Sequence, residues 1–311
     1  MNLLSAPWSE KYRPKTIDEC ILPESIKQQF KILVTNESIP HLLLSGSAGC
    51  GKTTLARALC SELGYDVKLI NASKDNGIDT LRNEIVDYCS SYSISGNKKV
   101  LILDEADNLT EQAQKALRAT MEQYSARVLF ILTCNYKSKL IEAIHSRCAN
   151  TDFGFNLSEK EKKSLMLALT KRVANILRLE NVEFDAKAVF AYIEKKYPDN
   201  RRILNELQSF SYNGAITADI LSNSKDISID ELKSLITNKE ISKTMEWVAN
   251  NSNNDFSDFY PTVYKNIKSI IPDKSIPNVI LTLADYQKHH HNVIDKNLHI
   301  VACLIEIMGC L

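Results

Sequence analysis

The sequence predicts an α/β fold, a parallel doubly wound sheet, with a small helical domain and an all-α C-terminal domain behind it. Three observations carry this expectation. Short apolar runs alternate with helical stretches from His41 to Phe153. A glycine-rich loop joins the first such run to the first such helix. Beyond Phe155 the strand-like runs stop and helical periodicity takes over.

The strand candidates are residues 42–45, 67–71, 100–104 and 128–133, with a weaker one at 150–153. They are continuous rather than alternating, as expected where helices cover both faces of a parallel sheet. Between them residues 53–63, 79–90, 111–124 and 139–145 read as helices. Strand and helix in alternation specify a doubly wound sheet whose ligands bind at the carboxyl ends of the strands.

The loop from Gly46 to Thr53 reads G-S-A-G-C-G-K-T, a full match to G-x-x-x-x-G-K-[ST]. Glycines let successive backbone N–H groups turn inward around phosphates, and the helix N-terminus adds its positive end. Lys52 is placed to reach the terminal phosphates, and the Thr53 hydroxyl to hold Mg²⁺.

Downstream, Val100-Leu101-Ile102-Leu103 runs into Asp104-Glu105-Ala106-Asp107. A buried strand ending in acids is costly unless the carboxylates have partners or work. Asp104 at the strand tip can serve the metal, and Glu105 can polarise the water that attacks the γ-phosphate. The next strand ends in Asn135, whose amide suits a γ-phosphate or that water; a strand-terminal turn asparagine is the alternative. Arg147, in Ser146-Arg147-Cys148, is either a surface arginine or, in a ring or arc, a group reaching a neighbour's site. Arg201, at a helix start after Pro198-Asp199-Asn200, is either a second cation folding over the nucleotide or a solvated helix residue.

Ser158 and Glu161 form a capping box that opens a helix to about Leu179. Asp185 is placed to cap a second helix, 186–197, and a third runs over 200–212. Residues 222–227 read as a linker, after which apolar Leu232, Leu235 and Ile236, then Met245, Trp247 and Val248, mark further helices before a last one at 298–311. The expected domains are 1–155, 156–225 and 226–311.

Composition narrows the function classes. Lys+Arg 38 balance Asp+Glu 38, which argues against indiscriminate nucleic-acid binding by a monomer while allowing a local basic surface. The 8 cysteines show no C-x-x-C pair, so reduced thiols are expected rather than a disulfide framework or a zinc site. No apolar run approaches the roughly 20 residues of a membrane span. The polar start of the chain lacks a signal-type stretch, so a cytoplasmic protein is expected (in the host's cytoplasm if the chain is viral). His289-His290-His291 cannot all face one point on a helix, and no metal site is read there.

Taken together, these segments resemble the AAA+ clamp-loader ATPases: replication factor C small subunits and, more closely, the large ATPase subunit of tailed-bacteriophage sliding-clamp loaders. The resemblance is carried by W-S-E-K-Y-R-P (8–14) with T-I-D-E-C-I-L-P (16–23), the phosphate loop, D-E-A-D, L-I-N-A-S-K-D-N-G-I-D (69–79), A-Q-K-A-L-R-A-T-M-E-Q-Y-S (113–125) and S-R-C (146–148). It is strong over residues 8–208; the C-terminal domain agrees only in length and helical character.

The resemblance implies that Ser9, Glu10, Lys11, Tyr12 and Ile21 line the adenine pocket. Gly49, Cys50, Gly51, Lys52, Thr53 and Thr54 would bind phosphates, with Asp104 and Thr53 on the metal and Glu105 activating water. Asn135 is similar to the first sensor, Arg201 to the second, and Arg147 to the finger acting on the adjacent subunit. Gln114 would couple neighbouring subunits, and Lys74, Arg82 and Lys115 would follow the DNA backbone without reading bases.

The implied cofactors are ATP and Mg²⁺. The implied partners are copies of this chain, a companion clamp-loader small subunit, a sliding clamp and primer–template DNA. A non-hydrolysing scaffold subunit and another AAA+ DNA motor, such as a branch-migration helicase, are the alternatives. Two departures stand out: Asn76 replaces a basic residue usual before G-I-D, and Ala48 and Cys50 replace the usual Pro and Thr of the loop.

Overall fold

Five parallel strands, β1 (Leu42–Ser45), β2 (Asp66–Asn71), β3 (Lys99–Asp104), β4 (Val128–Cys134) and β5 (Ala149–Asp152), build one sheet in the order β2-β3-β4-β1-β5. They belong to a computed structural model that describes residues 6–36, 39–73, 78–93, 96–154, 157–212, 214–220, 229–251, 256, 259–290 and 292–311. Register pairs Ser45 with Cys134 and Leu103 with Leu132, so the carboxyl ends of β1, β3 and β4 lie within about a residue of one another.

Alternation of side chains along each strand divides the core in two. Leu43, Leu101, Leu103, Phe130 and Leu132 pack on one face with α4 (Ile78–Ser90) and α5 (Glu111–Tyr124). Leu42, Leu44, Val100, Ile102 and Ile131 pack on the other with α2 (Glu24–Asn36) and α3 (Lys52–Glu62). Both faces are covered, which is why the strands read as unbroken apolar runs. Helix α2 is not among the sequence expectations above, yet Ile26, Phe30, Leu33 and Val34 mark its inward face at helical spacing.

One expected helix is shorter than its pattern. Residues 139–145 form a turn, Lys137–Lys139, followed by the single-turn α6, Glu142–His145. Ile141 between them is extended, with φ −67 and ψ 148, because its N–H is drawn to Gln114 Oε1 at 2.8 Å. A tertiary hydrogen bond here outweighs local helical preference.

Three helices follow: α7 (Glu159–Leu179), α8 (Ala186–Lys196) and α9 (Asn200–Ser211). Ser158 Oγ accepts from Glu161 N–H, and Glu161 accepts from Ser158 N–H, completing the expected capping box. These helices enclose their own core of Leu169, Val173, Ile176, Val189, Tyr192, Ile203 and Leu207. Trp8, on the short helix α1 (Trp8–Lys11), is 4% exposed and belongs to this core, with its backbone N–H donating to Gln208 Oε1 at 2.8 Å. Helix α1 is therefore fastened to the helical layer.

The chain divides into two units, Met1–Leu221 and Ser222–Leu311. The sheet and the three-helix layer, expected as separate domains, share the first unit. The expected linker lies outside the described residues. The second unit comprises α10 (Ile229–Asn238), α11 (Ile241–Asn250), α12 (Phe259–Lys265), α13 (Ile267–Ile270), α14 (Ile276–His289) and α15 (Lys296–Gly309). Leu232, Ile236, Val248, Phe259, Val279 and Leu304 form its core, whereas Met245 is exposed. His290 is buried against Tyr260, 3.2 Å from its hydroxyl, and His291 lies outside the described residues. No described helix is long and apolar enough to cross a membrane.

Trp8→Ala should lower the stability of the first unit by about 3–5 kcal/mol, the usual cost of deleting a buried tryptophan. Urea unfolding of the full chain checks this; an unchanged midpoint would place Trp8 outside the core.

Candidate nucleotide site

The loop after β1 closes on its own lysine. Lys52 is 7% exposed and donates to the carbonyls of Gly46 (2.7 Å) and Ser47 (2.8 Å) and to Asn135 Oδ1 (2.9 Å). A buried ammonium needs this many acceptors, because its charge has left water. Asn135 is fixed in turn by Asp107, whose Oδ2 accepts from the N–H groups of Asn135 (3.2 Å) and Tyr136 (3.1 Å). Asp107 Oδ1 is buried without a partner among the described residues.

One step away, Asp104 Oδ1 accepts from Thr53 Oγ1 at 2.6 Å and from Thr133 Oγ1 at 2.5 Å. The Glu105 N–H donates to Thr133 Oγ1 at 3.1 Å. Glu105 has φ 57, a left-handed conformation that a non-glycine residue adopts at some cost. That conformation turns the chain at the strand tip, and Asn108 Nδ2 reaches Glu105 Oε2 at 3.3 Å. The expected metal pair, Thr53 and Asp104, thus supplies a hydroxyl and a carboxylate oxygen at one point. Hard oxygen donors of this kind suit Mg²⁺.

A cleft extends from these groups toward the N-terminal helix α1. Gly49, Cys50, Gly51, Lys52, Thr53, Thr54, Asp104, Glu105 and Asn135 line it, as do Ser9, Tyr12, Ile21 and Arg201. Its apolar wall is Ile21, Leu22, Leu169 and Leu204, a surface suited to a flat base. Glu10 and Lys11, expected in this pocket, are not among its lining residues. Glu10 is engaged by Arg13, and Lys11 by Glu180 at 2.7 Å. In place of Glu10 and Lys11 the motif contributes Arg13, which lines the cleft and donates to Thr54 Oγ1 at 3.0 Å.

Several residues absent from the sequence expectations hold the cleft together. Glu180, at the end of α7, accepts from the Tyr12 hydroxyl at 2.6 Å as well as from Lys11. The Lys11 and Tyr12 hydrogen bonds keep the Glu180 carboxyl below its ordinary range. Arg172 on α7 donates to the carbonyls of Tyr12 (2.7 Å) and Glu19 (2.9 Å). At the phosphate end, Asn200 N–H donates to the Gly49 carbonyl at 3.1 Å. Gly49 has φ +73, and a Cβ there would stand 1.8 Å from Asp199 Oδ1, so only glycine permits the helical layer to approach the loop. No sequence signal marks Glu180, because its partners lie some 170 residues away. Asp107 and Thr133 were legible as polar residues at strand ends without an evident task.

The remaining expected residues stand away from the cleft lining. Gln114 is 2% exposed and donates to the carbonyls of Leu109 (3.1 Å) and Lys139 (3.0 Å) while accepting from Ile141. Arg147 is bound to Glu122 and to the Ala143 carbonyl. Lys115 pairs with Glu111 at 2.6 Å, and Arg82 is exposed on α4. Lys74 and Asn76 lie outside the described residues.

Comparison with known proteins places this geometry in a family. The model for ATPases associated with various cellular activities matches residues 42–154, and that for the sliding-clamp-loader large subunit AAA+ ATPase lid domain matches residues 161–222. The sliding-clamp-loader large subunit of Enterobacteria phage T4 is 33% identical over 304 residues, covering 96% of this chain and 94% of that protein. The chain belongs to the AAA+ clamp-loader ATPase family.

A replication factor C small subunit of Sulfurisphaera tokodaii is 41% identical over 219 residues, covering 68% of this chain and 64% of that protein. In fold, the Thermotoga maritima RuvB Holliday junction branch migration motor is similar with a TM-score of 0.54 at 21% identity, over 74% of this chain and 80% of that one. The lid model covers α7–α9, and the N-terminal segment, here called the strap, bonds to both lid and loop through Tyr12 and Arg13.

Cys50 departs from the family's usual loop residue, and its thiol is 4% exposed. Burial pushes its pKa upward, with Lys52 opposing the shift only in part. The thiolate is the reactive form, so at neutral pH Cys50 should react with iodoacetamide far more slowly than free cysteine does. Mass spectrometry of the alkylated native protein checks this; labelling at the free-thiol rate would contradict it.

Proposed function

We propose that this chain is the ATP-hydrolysing subunit of a sliding-clamp loader in DNA replication, working in an oligomer whose sites are completed by neighbouring copies. The observation that carries the reading is the meeting of Lys52, Thr53, Asp104, Glu105 and Asn135 at the end of one cleft. The adenine lies against Tyr12, Ile21 and Leu204, and the triphosphate lies along Gly49–Thr54. Lys52 exchanges its loop carbonyls for β- and γ-phosphate oxygens, a substitution that keeps its charge paired. Thr53 and Asp104 would hold Mg²⁺, which would supply positive charge against the phosphates.

Glu105 is the base for the attacking water, and Asn135 senses the γ-phosphate through the same amide that now holds Lys52. Arg201 reaches the nucleotide from the lid. Arg147 serves a neighbour's triphosphate, where it stabilises charge on the transferred phosphoryl group. Gln114 transmits between neighbouring subunits. Lys74, Arg82 and Lys115 follow primer–template phosphates, so DNA binding weakens steeply with salt.

ATP binding favours the arrangement that grips an open clamp and the junction, and hydrolysis releases both. The partners are further copies of this chain, a companion small subunit and the clamp, with the helical unit 222–311 as the oligomerisation element. Presence of Lys52, Glu105 and Arg147 together supports hydrolysis over a passive scaffold. Similarity to a clamp-loader large subunit, at 33% identity over 96% of the chain, supports this role over branch migration.

Glu105→Gln should leave ATP binding intact and reduce turnover by about a hundredfold or more, the contribution of a general base. Nucleotide titration beside a phosphate-release assay with clamp and primed DNA reads both; retained turnover would overturn the assignment. Arg147→Ala subunits mixed with wild type should silence neighbouring sites, lowering turnover at each interface that lacks the arginine by roughly a thousandfold. Turnover that stays equal at all dilutions of the wild-type chain would exclude a trans-acting arginine.

A further inference from the structure

Arg147 is not free on the surface. Its Nε donates to Glu122 Oε1 at 2.8 Å, and its Nη2 donates to the same oxygen. Its Nη1 donates to the Ala143 carbonyl at 2.7 Å and to Ser146 Oγ at 3.3 Å. Glu122 stands on α5 and Ala143 on α6, so two elements hold one guanidinium. Arg118, one turn before Glu122, donates to the same carboxylate oxygen at 3.3 Å. Bonds from Arg147 and then Arg118 keep the Glu122 carboxyl below its ordinary range.

The distance between α5 and α6 is itself fixed. Gln114 joins Leu109 at the start of α5 to Lys139 and Ile141 just before α6. Glu122 therefore presents its carboxylate to Arg147 from a set position. An exposed ion pair of this kind adds little to stability, so its consequence is geometric. Arginine carries five N–H donors, and Nη2 retains one beyond its bond to Glu122.

We propose that Glu122 is a positioning residue for hydrolysis: it holds Arg147 in the conformation in which the guanidinium meets the adjacent protomer's triphosphate. The proposal rests on the reading of Arg147 as the trans-acting arginine. An arginine already ordered in its own subunit loses less freedom when charge develops on the phosphoryl group. Glu122 itself touches no nucleotide, and its effect passes entirely through Arg147.

The test is a double-mutant cycle on ATP turnover by the assembled oligomer with clamp and primed DNA. Glu122→Ala should lower kcat by roughly tenfold to a hundredfold, the loss expected of a misplaced catalytic group, with KM for ATP unchanged. Glu122→Gln, which keeps an acceptor oxygen without the charge, should fall between that variant and wild type, and it decides the matter if Glu122→Ala fails to assemble. In an Arg147→Ala background, Glu122→Ala should have no further effect.

Wild-type or higher turnover in Glu122→Ala beside an inactive Arg147→Ala overturns the positioning role alone, as do losses that simply add. Wild-type turnover in Arg147→Ala removes the trans-acting reading and this proposal with it.

Discussion

The burial of one ammonium group organises the site. Lys52 has left water, and its charge is balanced by two carbonyls of its own loop and by Asn135 at the end of β4. Such a cation tolerates few arrangements, because each missing acceptor would leave an unpaired charge in a low-dielectric place. The loop must curl, β4 must lie beside β1, and Asp107 must hold the backbone of Asn135. The acceptors that satisfy the lysine also hold it beside the glycine-rich loop and the end of β4, where the proposed function puts the phosphates.

A second set of contacts closes the cleft at its other end. The strap carries Trp8 into the lid core, Tyr12 and Lys11 to Glu180, and Arg13 to Thr54 on the helix behind the phosphate loop. Arg172 adds two bonds from the lid to strap carbonyls. Lid, strap and loop are therefore linked through the walls of the cleft. At the phosphate end the lid meets the loop directly, with Asn200 on the Gly49 carbonyl and Asp199 filling the space a side chain on Gly49 would need. Under the proposed function, these contacts would couple occupancy of the cleft to placement of the lid.

Much of the sheet was legible because both its faces are covered: continuous apolar runs such as Val100–Leu103 have no other stable use. The phosphate loop was legible because its chemistry is written in adjacent residues. Errors arose where a distant partner decided the outcome. Ile141 is extended because Gln114 takes its N–H, and no local pattern announces that bond. Lys11 stands in the same motif as Tyr12, yet its ion pair with the distant Glu180 holds it off the cleft lining.

The sequence by itself determined the strand–loop–helix unit, the acids at the tip of β3, the capping box at Ser158 and the membership these motifs imply. Such features depend on hydrogen bonds and periodicity within a few residues, so they survive being read along a line. Only the tertiary structure decided which side chains face the cleft and which are committed elsewhere. Glu180, Arg172, Asp107 and Glu122 hold that arrangement through contacts with residues 25 to 168 positions away. Long-range pairing of polar groups is chosen by burial and proximity after the chain has folded, and a one-dimensional pattern carries no record of it.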